Sequence, residues 1–98
     1  MVYQVTLSNR SIGDLKGICE YIAAENPEAA QKLGHAILKQ IQALSGLPRR
    51  GRIYDVSDSV RIYEILIKGY RVFYQISESS KQIQVLHIRH AARSEPTL

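Results

Sequence analysis

The chain has 98 residues, of which 45% are hydrophobic and 22% are charged. This length supports one compact domain with a single core and leaves no room for a second domain or a long linker. Lys and Arg number 13 against 9 Asp and Glu, and the formal net charge of +4 favours polyanions or acidic proteins as partners without approaching a histone-like excess.

Cysteine content and hydropathy narrow the class of protein further. Cys19 is the only cysteine, which excludes an internal disulfide and a metal cluster held by several thiolates. Residues 1–5 lack the basic segment and apolar run of a signal peptide, and no apolar run approaches membrane-spanning length. We therefore expect a cytoplasmic protein that uses no metal or other cofactor and contacts no membrane.

The first third of the chain predicts a strand followed by a helix. Residues 2–7 alternate in period two and are rich in β-branched and aromatic side chains, which is typical of a short strand. Ser8 or Asn9 can then cap a helix. Apolar residues from Ile12 to Ile22 recur at the three-and-four spacing of one helical face, so the helix should run to about Glu25.

A second helix should begin almost at once. In Asn26-Pro27-Glu28, the Asn side chain can accept backbone amide hydrogens, Pro suits the first helical position, and Glu suits the helix dipole. Residues 45–48 supply the Gly and Pro that commonly end a helix. Two helices joined this tightly form an antiparallel hairpin, whose apolar faces need a sheet to cover them.

The second half predicts that sheet. A basic loop, residues 49–52, leads through a polar connector, residues 54–59, to three antiparallel strands. The strands span residues 60–67, 70–77 and 82–89, and Lys68-Gly69 makes the first turn. The predicted fold is therefore α+β, with an N-terminal strand, a helical hairpin and a three-stranded antiparallel meander in a single domain, residues 1–93. Residues 94–98 should form a short, poorly ordered tail.

The last strand contains a change of phase. Its apolar set moves from Ile83 and Val85 to Leu86 and Ile88. Either both faces of this strand are partly buried, or a β-bulge shifts the alternation.

The third strand should have one open face that carries charge. Period two places Arg71, Phe73 and Gln75 on one face and the more apolar set on the other, which is the expected core side. Depending on register, the neighbouring strand adds either Arg61 with Tyr63 or Ile62 with Glu64 to the open face. Guanidinium groups and tyrosine rings could bind phosphates there. Alternatively, the arginines pair with Glu64 and only solvate the sheet.

Other candidate groups allow a functional and a structural interpretation. Arg49, Arg50 and Arg52 form a second basic patch, which is also compatible with a solvated loop. His35 should face solvent. His87 and His90, at the end of the last strand, could act as general acid or base, but structural roles in capping or packing the strand end are commoner. Cys19 is most simply a buried helical residue.

Five segments, taken in order, resemble the RelE/ParE superfamily of small bacterial toxins. They are residues 14–22 of the first helix, the start of the second helix Asn26-Pro27-Glu28-Ala29-Ala30, residues 47–52, Gly69-Tyr70-Arg71-Val72-Phe73-Tyr74, and Ile88-Arg89-His90-Ala91-Ala92-Arg93. The resemblance implies the toxin component of a type II toxin–antitoxin module, held inactive by a cognate antitoxin. The family divides into RelE-like messenger RNA endoribonucleases, which act in the ribosomal A site, and ParE-like inhibitors of DNA gyrase, which are not nucleases.

The resemblance favours the ParE-like branch and inhibition of gyrase. Arg71 matches the arginine of the Gly-Tyr-Arg motif, but Ile62 and Glu64 stand where RelE has lysines, and Ala91 and Thr97 stand where it has arginine and tyrosine. These differences remove groups that would stabilise phosphate charge and transfer protons. The alternative is a ribosome-dependent endoribonuclease that uses Glu64, Arg71 and His90.

Under the favoured interpretation, the expected contacts with the target are arginines of the basic loop, the sheet and the C-terminus. They are Arg49, Arg52, Arg61, Arg71, Arg89 and Arg93. The resemblance also implies an acidic, ParD-like antitoxin that folds onto the helical hairpin or extends the sheet edge in a hetero-oligomer. A third possibility is a degenerate member that binds antitoxin but has lost toxicity.

Overall fold

The computed structural model describes residues 2–56 and 60–92. These residues form two helices and one five-stranded sheet. In chain order the elements are β1 (Gln4–Leu7), α1 (Asn9–Ala23), α2 (Pro27–Ala43), β2 (Arg52–Val56), β3 (Arg61–Ile67), β4 (Tyr70–Ser77) and β5 (Gln82–His90). The predicted α+β class, with its N-terminal strand, helical hairpin and antiparallel meander, is confirmed. The expected tail, residues 94–98, lies outside the described residues.

Both helices begin where the capping residues predict. The Ser8 side chain accepts the N–H of Ser11 at 3.1 Å and so caps α1. The Asn26 side chain accepts the N–H of Ala29 at 3.0 Å, and Pro27 follows at the first position of α2. Each cap satisfies a backbone donor that has no partner within its own helix.

The strands lie in the order β1-β5-β4-β3-β2. β1 is parallel to β5, whereas all the other neighbours are antiparallel. Lys68 and Gly69 have φ of 53° and 83°, respectively, which provides the two positive φ values of a tight turn between β3 and β4. The N-terminal strand therefore closes one side of the meander, and β2 closes the other.

One prediction within this fold is wrong. Residues 54–56, expected in a polar connector, belong to β2, which pairs with β3 and extends the meander to four strands. All five residues of β2 are exposed, so no buried apolar face marked the strand in the sequence. The remaining residues of that connector, 57–59, lie outside the described part of the chain.

The change of phase in the last strand is a β-bulge. Phe73 pairs with His87 and the next residue, Tyr74, pairs with Val85, so Leu86 is the extra residue on β5. After the bulge, His87 and Arg89 share a face with Phe73 and Arg71.

The core lies between the helices and one face of the sheet. Ile37, Ile41 and Leu44 at the second helix are fully buried, as are Val72 and Tyr74 on β4. On the opposite face, Asp14 of α1 contacts His87 of β5 beyond the end of β1. Neither α1 nor α2 is long and apolar enough to span a membrane.

Candidate functional site

The sheet face opposite the helices carries a charged cluster, which we call the arginine–glutamate cluster: Arg52 on β2, Glu64 on β3, Arg71 on β4 and Arg89 on β5. Arg52 is opposite Glu64 across the first pair of strands, and Arg71 is opposite Arg89 across the last pair. Of the two registers considered for β3, the structure has Ile62 and Glu64 on this open face, because they pair with Gln75 and Phe73. Four strands thus bring these side chains together.

Glu64 is at the centre of the cluster. Its Oε1 accepts from Nε and Nη2 of Arg52, at 3.3 and 3.1 Å, and its Oε2 accepts from Nε of Arg71. Glu64 is only 7% exposed. Burial by itself raises the pKa of this carboxyl, but the hydrogen bonds and charges of Arg71 and Arg52 outweigh burial, and the pKa lies below its ordinary value. Glu64 is therefore held in its ionised, accepting form.

Aromatic rings form the base of the cluster. The guanidinium carbons of Arg89 and Arg71 lie 4.9 and 5.1 Å from the ring centroid of Phe73, within cation–π range. The Tyr54 ring packs edge-on against Phe73 at 4.8 Å, and the His87 ring stacks on it at 5.6 Å. Phe73 is 4% exposed, although it points to the open face, because these side chains cover it.

The histidines at the end of β5 occupy different sides of the sheet. Nδ1 of His87 lies 2.9 Å from Oδ2 of Asp14, which also accepts the N–H of Ile88 at 3.0 Å. Because a carboxylate only accepts, Nδ1 of His87 carries the proton. Its Nε2 is enclosed and has no hydrogen-bond partner among the described residues.

His90 does not join Glu64 and Arg71. The His90 ring packs edge-on against Tyr70, which contacts the core on the helical side of the sheet. Nδ1 of His90 accepts the N–H of Ala92 at 3.1 Å. His90 lines a groove of about 770 Å³ between α1 and the end of β5. The three groups of the ribonuclease alternative are thus divided, with Glu64 and Arg71 in one place and His90 in another.

The remaining arginines among the expected contacts are dispersed. Arg49 is paired with Glu78, near the turn between β4 and β5. Arg61, on β3 opposite Val56, is exposed on the helical side of the sheet edge and not on the open face. Arg93 lies outside the described residues.

The basic loop is anchored by a buried tyrosine that the sequence did not single out. The Tyr74 hydroxyl donates to the Pro48 carbonyl oxygen at 2.8 Å and accepts the N–H of Gly51 at 3.0 Å. Burial raises the pKa of this hydroxyl. A Cβ on Gly51 would lie 2.6 Å from the carbonyl oxygen of Glu64, so the close approach requires glycine. As a result, Arg50 and Arg52 border a cavity of about 470 Å³ together with Glu64 and Arg71.

This arrangement favours binding of anionic or acidic groups. Arginine guanidinium groups are bidentate donors and stay charged.

Among residues 2–56 and 60–92, no group of three His, Cys, Asp or Glu side chains is placed to hold a metal ion. The exposed His35 faces solvent as expected, and Cys19 is half-buried beside Gly34 and the carbonyl oxygen of Ala30.

Comparisons with known proteins agree with this fold. A family model described as the ParE toxin of the type II toxin–antitoxin system, parDE, matches residues 5–95. No curated protein matches the chain.

Several solved structures share the architecture. A chain of the chromosomal ParDE system from P. aeruginosa superposes with a TM-score of 0.71 at 20% identity, covering 91% of this chain and 96% of that one. A chain of the archaeal RelE–RelB complex from Pyrococcus horikoshii OT3 gives 0.68 at 19% identity, covering 96% and 100%. The isolated RelE toxin of E. coli gives 0.61 at 18% identity, covering 95% and 88%. At these identities the likeness establishes the fold.

Proposed function

We propose that this chain, which belongs to the ParE toxin family of type II toxin–antitoxin systems, inhibits DNA gyrase by binding to it. A cognate acidic antitoxin would neutralise this activity. The observation that carries the proposal is the state of Glu64. Its two oxygens are engaged by Arg52 and Arg71, and its pKa is lowered. A general base that serves near neutral pH needs a higher pKa and access to its substrate.

The histidines support the same conclusion. His87 has one ring nitrogen bound to Asp14 and the other enclosed, so neither is presented to a substrate. His90 lies on the helical side, away from Glu64. The groups that could transfer protons are therefore engaged in structural contacts, which favours a toxin that binds its target over one that cleaves it.

The target-binding surface would be the arginine–glutamate cluster with the basic loop beside it. Arg50 and Arg52 are exposed at the edge of this surface, whereas the guanidinium groups of Arg71 and Arg89 lie over the Phe73 ring and Arg89 is only 8% exposed. Arginine is enriched among binding hot spots, and a side chain that is already packed in the free protein has less conformational entropy to lose on association. Arg49 and Arg93 are kept as peripheral candidates, and Arg61 would contact only a target that also covers the sheet edge.

The antitoxin would occupy the groove between α1 and the end of β5. Gly13 and Gly17 leave open space above α1, and Tyr21 on the same helix is 76% exposed. An apolar segment that folds on binding would cover this surface. Replacing Tyr21 with lysine should weaken antitoxin binding and leave gyrase inhibition by the isolated toxin unchanged.

The test is plasmid supercoiling by purified gyrase with this protein titrated in and antitoxin added back in parallel. Inhibition that antitoxin reverses is expected, and Arg71→Ala should weaken it about tenfold or more, as loss of a hot-spot arginine does. Arg10→Ala, which removes an exposed arginine from α1, is the matched control and should inhibit like the unchanged protein. Protein that arrests growth but leaves gyrase unaffected would refute the proposal.

A ribosome-dependent endoribonuclease is the second candidate, because Glu64 and Arg71 are adjacent on the open face. If the chain is such a nuclease, it should cleave ribosome-bound messenger RNA, and the Glu64→Gln variant should not. Absence of cleavage at toxin concentrations that inhibit gyrase would exclude it. A chain that binds antitoxin but neither arrests growth nor affects gyrase or ribosomes would be the degenerate member considered above.

A further inference from the structure

Leu66 is an exposed apolar side chain beside the arginine–glutamate cluster. It lies on β3 two residues after Glu64, so the two side chains share the open face, and it is opposite Arg71 on β4. Leu66 is 64% exposed, although its neighbours in the chain, Ile65 and Ile67, are buried. The ion pairs of the cluster leave this leucine uncovered, so it is available to a partner.

The pairing of β2 explains why Leu66 is open. The first pair between β2 and β3 joins Arg52 to Glu64, and the preceding residue, Gly51, belongs to the basic loop. A cavity of about 470 Å³ lies between this loop and the end of β3, and Leu66 and Ala91 border it together with the arginines. The walls of this cavity therefore combine basic and apolar groups.

The cavity keeps a net positive charge. Among the described residues that border it, Arg50, Arg52 and Arg71 outnumber the one carboxylate, that of Glu64. Arg52 binds Glu64 through Nε and Nη2, which leaves further N–H donors on its guanidinium, and its side chain is 79% exposed. Arg50 is exposed and forms no ion pair within the described part of the chain. A second carboxylate can therefore bind beside the one that is already paired.

The open face does not continue as a basic surface beyond the cluster. The next row of side chains across the sheet consists of Asp55, Ile62, Gln75, Gln84 and Thr6. None of these residues is basic, and Asp55 is acidic. A nucleic acid strand carries a charge at every phosphate and is usually bound by a groove that is basic along its length. A single basic cavity with an apolar wall instead fits a carboxylate that has an apolar neighbour.

We propose that this cavity binds an acidic segment of the target protein, with a carboxylate held by Arg50 and Arg52 and an adjacent apolar side chain packed on Leu66 and Ala91. The inference rests on the proposed function and specifies that the chain recognises gyrase through its protein surface and not through its DNA. Arginine binds a carboxylate through two parallel hydrogen bonds, which fixes the orientation of the partner. Covering Leu66 removes apolar surface from water and stabilises the complex.

The test is direct binding of the purified chain to purified gyrase, measured by surface plasmon resonance with and without DNA. The unchanged chain should bind gyrase without DNA, and a short DNA duplex should not compete. Leu66→Ala should weaken binding about tenfold, because most of the leucine surface that the partner covers is lost. Leu47→Ala removes a leucine that is 63% exposed and outside the cavity, so it should bind like the unchanged chain.

A second pair of variants tests the charge of the cavity. Arg50→Ala should weaken binding about threefold, as loss of an exposed ion pair does. Arg10→Ala, which removes an exposed arginine from α1, should leave binding unchanged. Thermal melting checks that all four variants are folded, which their exposed positions favour.

Three results would overturn this proposal: binding that requires DNA, competition by the duplex, or a Leu66→Ala variant that binds as tightly as Leu47→Ala. A Leu66→Ala variant that inhibits gyrase normally but is no longer neutralised by antitoxin would also overturn it, because the cavity would then belong to the antitoxin. In each of these cases inhibition of gyrase itself survives and only the mode of recognition fails. A chain that neither binds nor inhibits gyrase would refute the proposed function and this inference together.

Discussion

The hydroxyl group of Tyr74 accepts the N–H of Gly51 at 3.0 Å and so joins the basic loop to the middle of the sheet. The same hydroxyl donates to the Pro48 carbonyl oxygen at 2.8 Å. The buried Tyr74 hydroxyl therefore accepts one hydrogen bond from the loop and donates another to it. Tyr74 is fully buried and its ring stacks on Tyr63. Tyr74 therefore helps to position the basic loop, together with the strand pairing that places Arg52 opposite Glu64.

Tyr74→Phe removes both hydrogen bonds while keeping the ring. Two backbone groups of the loop lose their partner, and we expect the free energy of unfolding to fall by about 1–3 kcal/mol. Urea denaturation measures this change. Tyr21→Phe, made where the side chain is 76% exposed, is the control and should change stability by no more than about 0.5 kcal/mol. Equal effects of the two variants would show that the loop is not anchored by this hydroxyl.

Gly51→Ala tests the close approach of the same loop to β3. The added Cβ would meet the Glu64 carbonyl oxygen at 2.6 Å and the Tyr74 hydroxyl at 2.8 Å, so the loop must move outward. Overpacking of this kind costs about 1–3 kcal/mol. Gly46→Ala adds the same methyl group where nothing lies within 4 Å, and it should leave the thermal midpoint nearly unchanged. A Gly51→Ala protein as stable as the control would contradict the geometry.

The sequence predicts the fold well where local chemistry determines it. Ser8 and Asn26 mark the helix starts through their caps, and Lys68-Gly69 marks a turn through its positive φ values. The sequence does not predict β2, because an edge strand that is exposed on both faces has no alternation of apolar and polar residues. For Leu86 the sequence left two explanations open, since the bulge is defined only by pairing with β4.

The site is less predictable, because it depends on register and on contacts distant in sequence. Period two places Arg71 and Phe73 on one face, but the pairing of β3 decides that Glu64 and not Tyr63 joins them. The contact between Asp14 and His87 joins residues from opposite ends of the chain, and no local pattern indicates it. The anchoring role of Tyr74 was missed for the same reason.

Glu64 should make stability depend on pH in the acid range. Its pKa in the folded protein lies below the ordinary value of 4.5, so the ion pairs with Arg71 and Arg52 stabilise the fold above that pH and are lost as the pH falls through the folded pKa. Unfolding free energy should therefore decrease with falling pH below about 4.5, the range in which the unfolded carboxyl binds its proton first. Glu64→Gln should flatten this slope and lower stability near neutral pH.

The control for this series is Glu20→Gln, which changes an exposed carboxylate on α1. Its pH profile should follow that of the unchanged protein. If Glu64→Gln retains the full slope in acid, other carboxylates are responsible and the ion pairs of the cluster contribute little.

Asp14 should be the residue that holds the bulged end of β5 in place. Its Oδ2 is bound by Nδ1 of His87 at 2.9 Å and by the N–H of Ile88 at 3.0 Å, and both contacts are partly buried. Asp14→Ala removes both acceptor contacts, so we expect a loss of about 1–3 kcal/mol and faster hydrogen exchange of the Ile88 amide. Asp14→Asn keeps one amide oxygen as an acceptor, so its free energy of unfolding should fall by less than that of Asp14→Ala. Glu20→Ala on the same helix controls for loss of a negative charge. If Asp14→Ala leaves exchange at Ile88 unchanged, then the bulge is held by the strand pairing alone, and the stacking of His87 on Phe73 does not depend on α1.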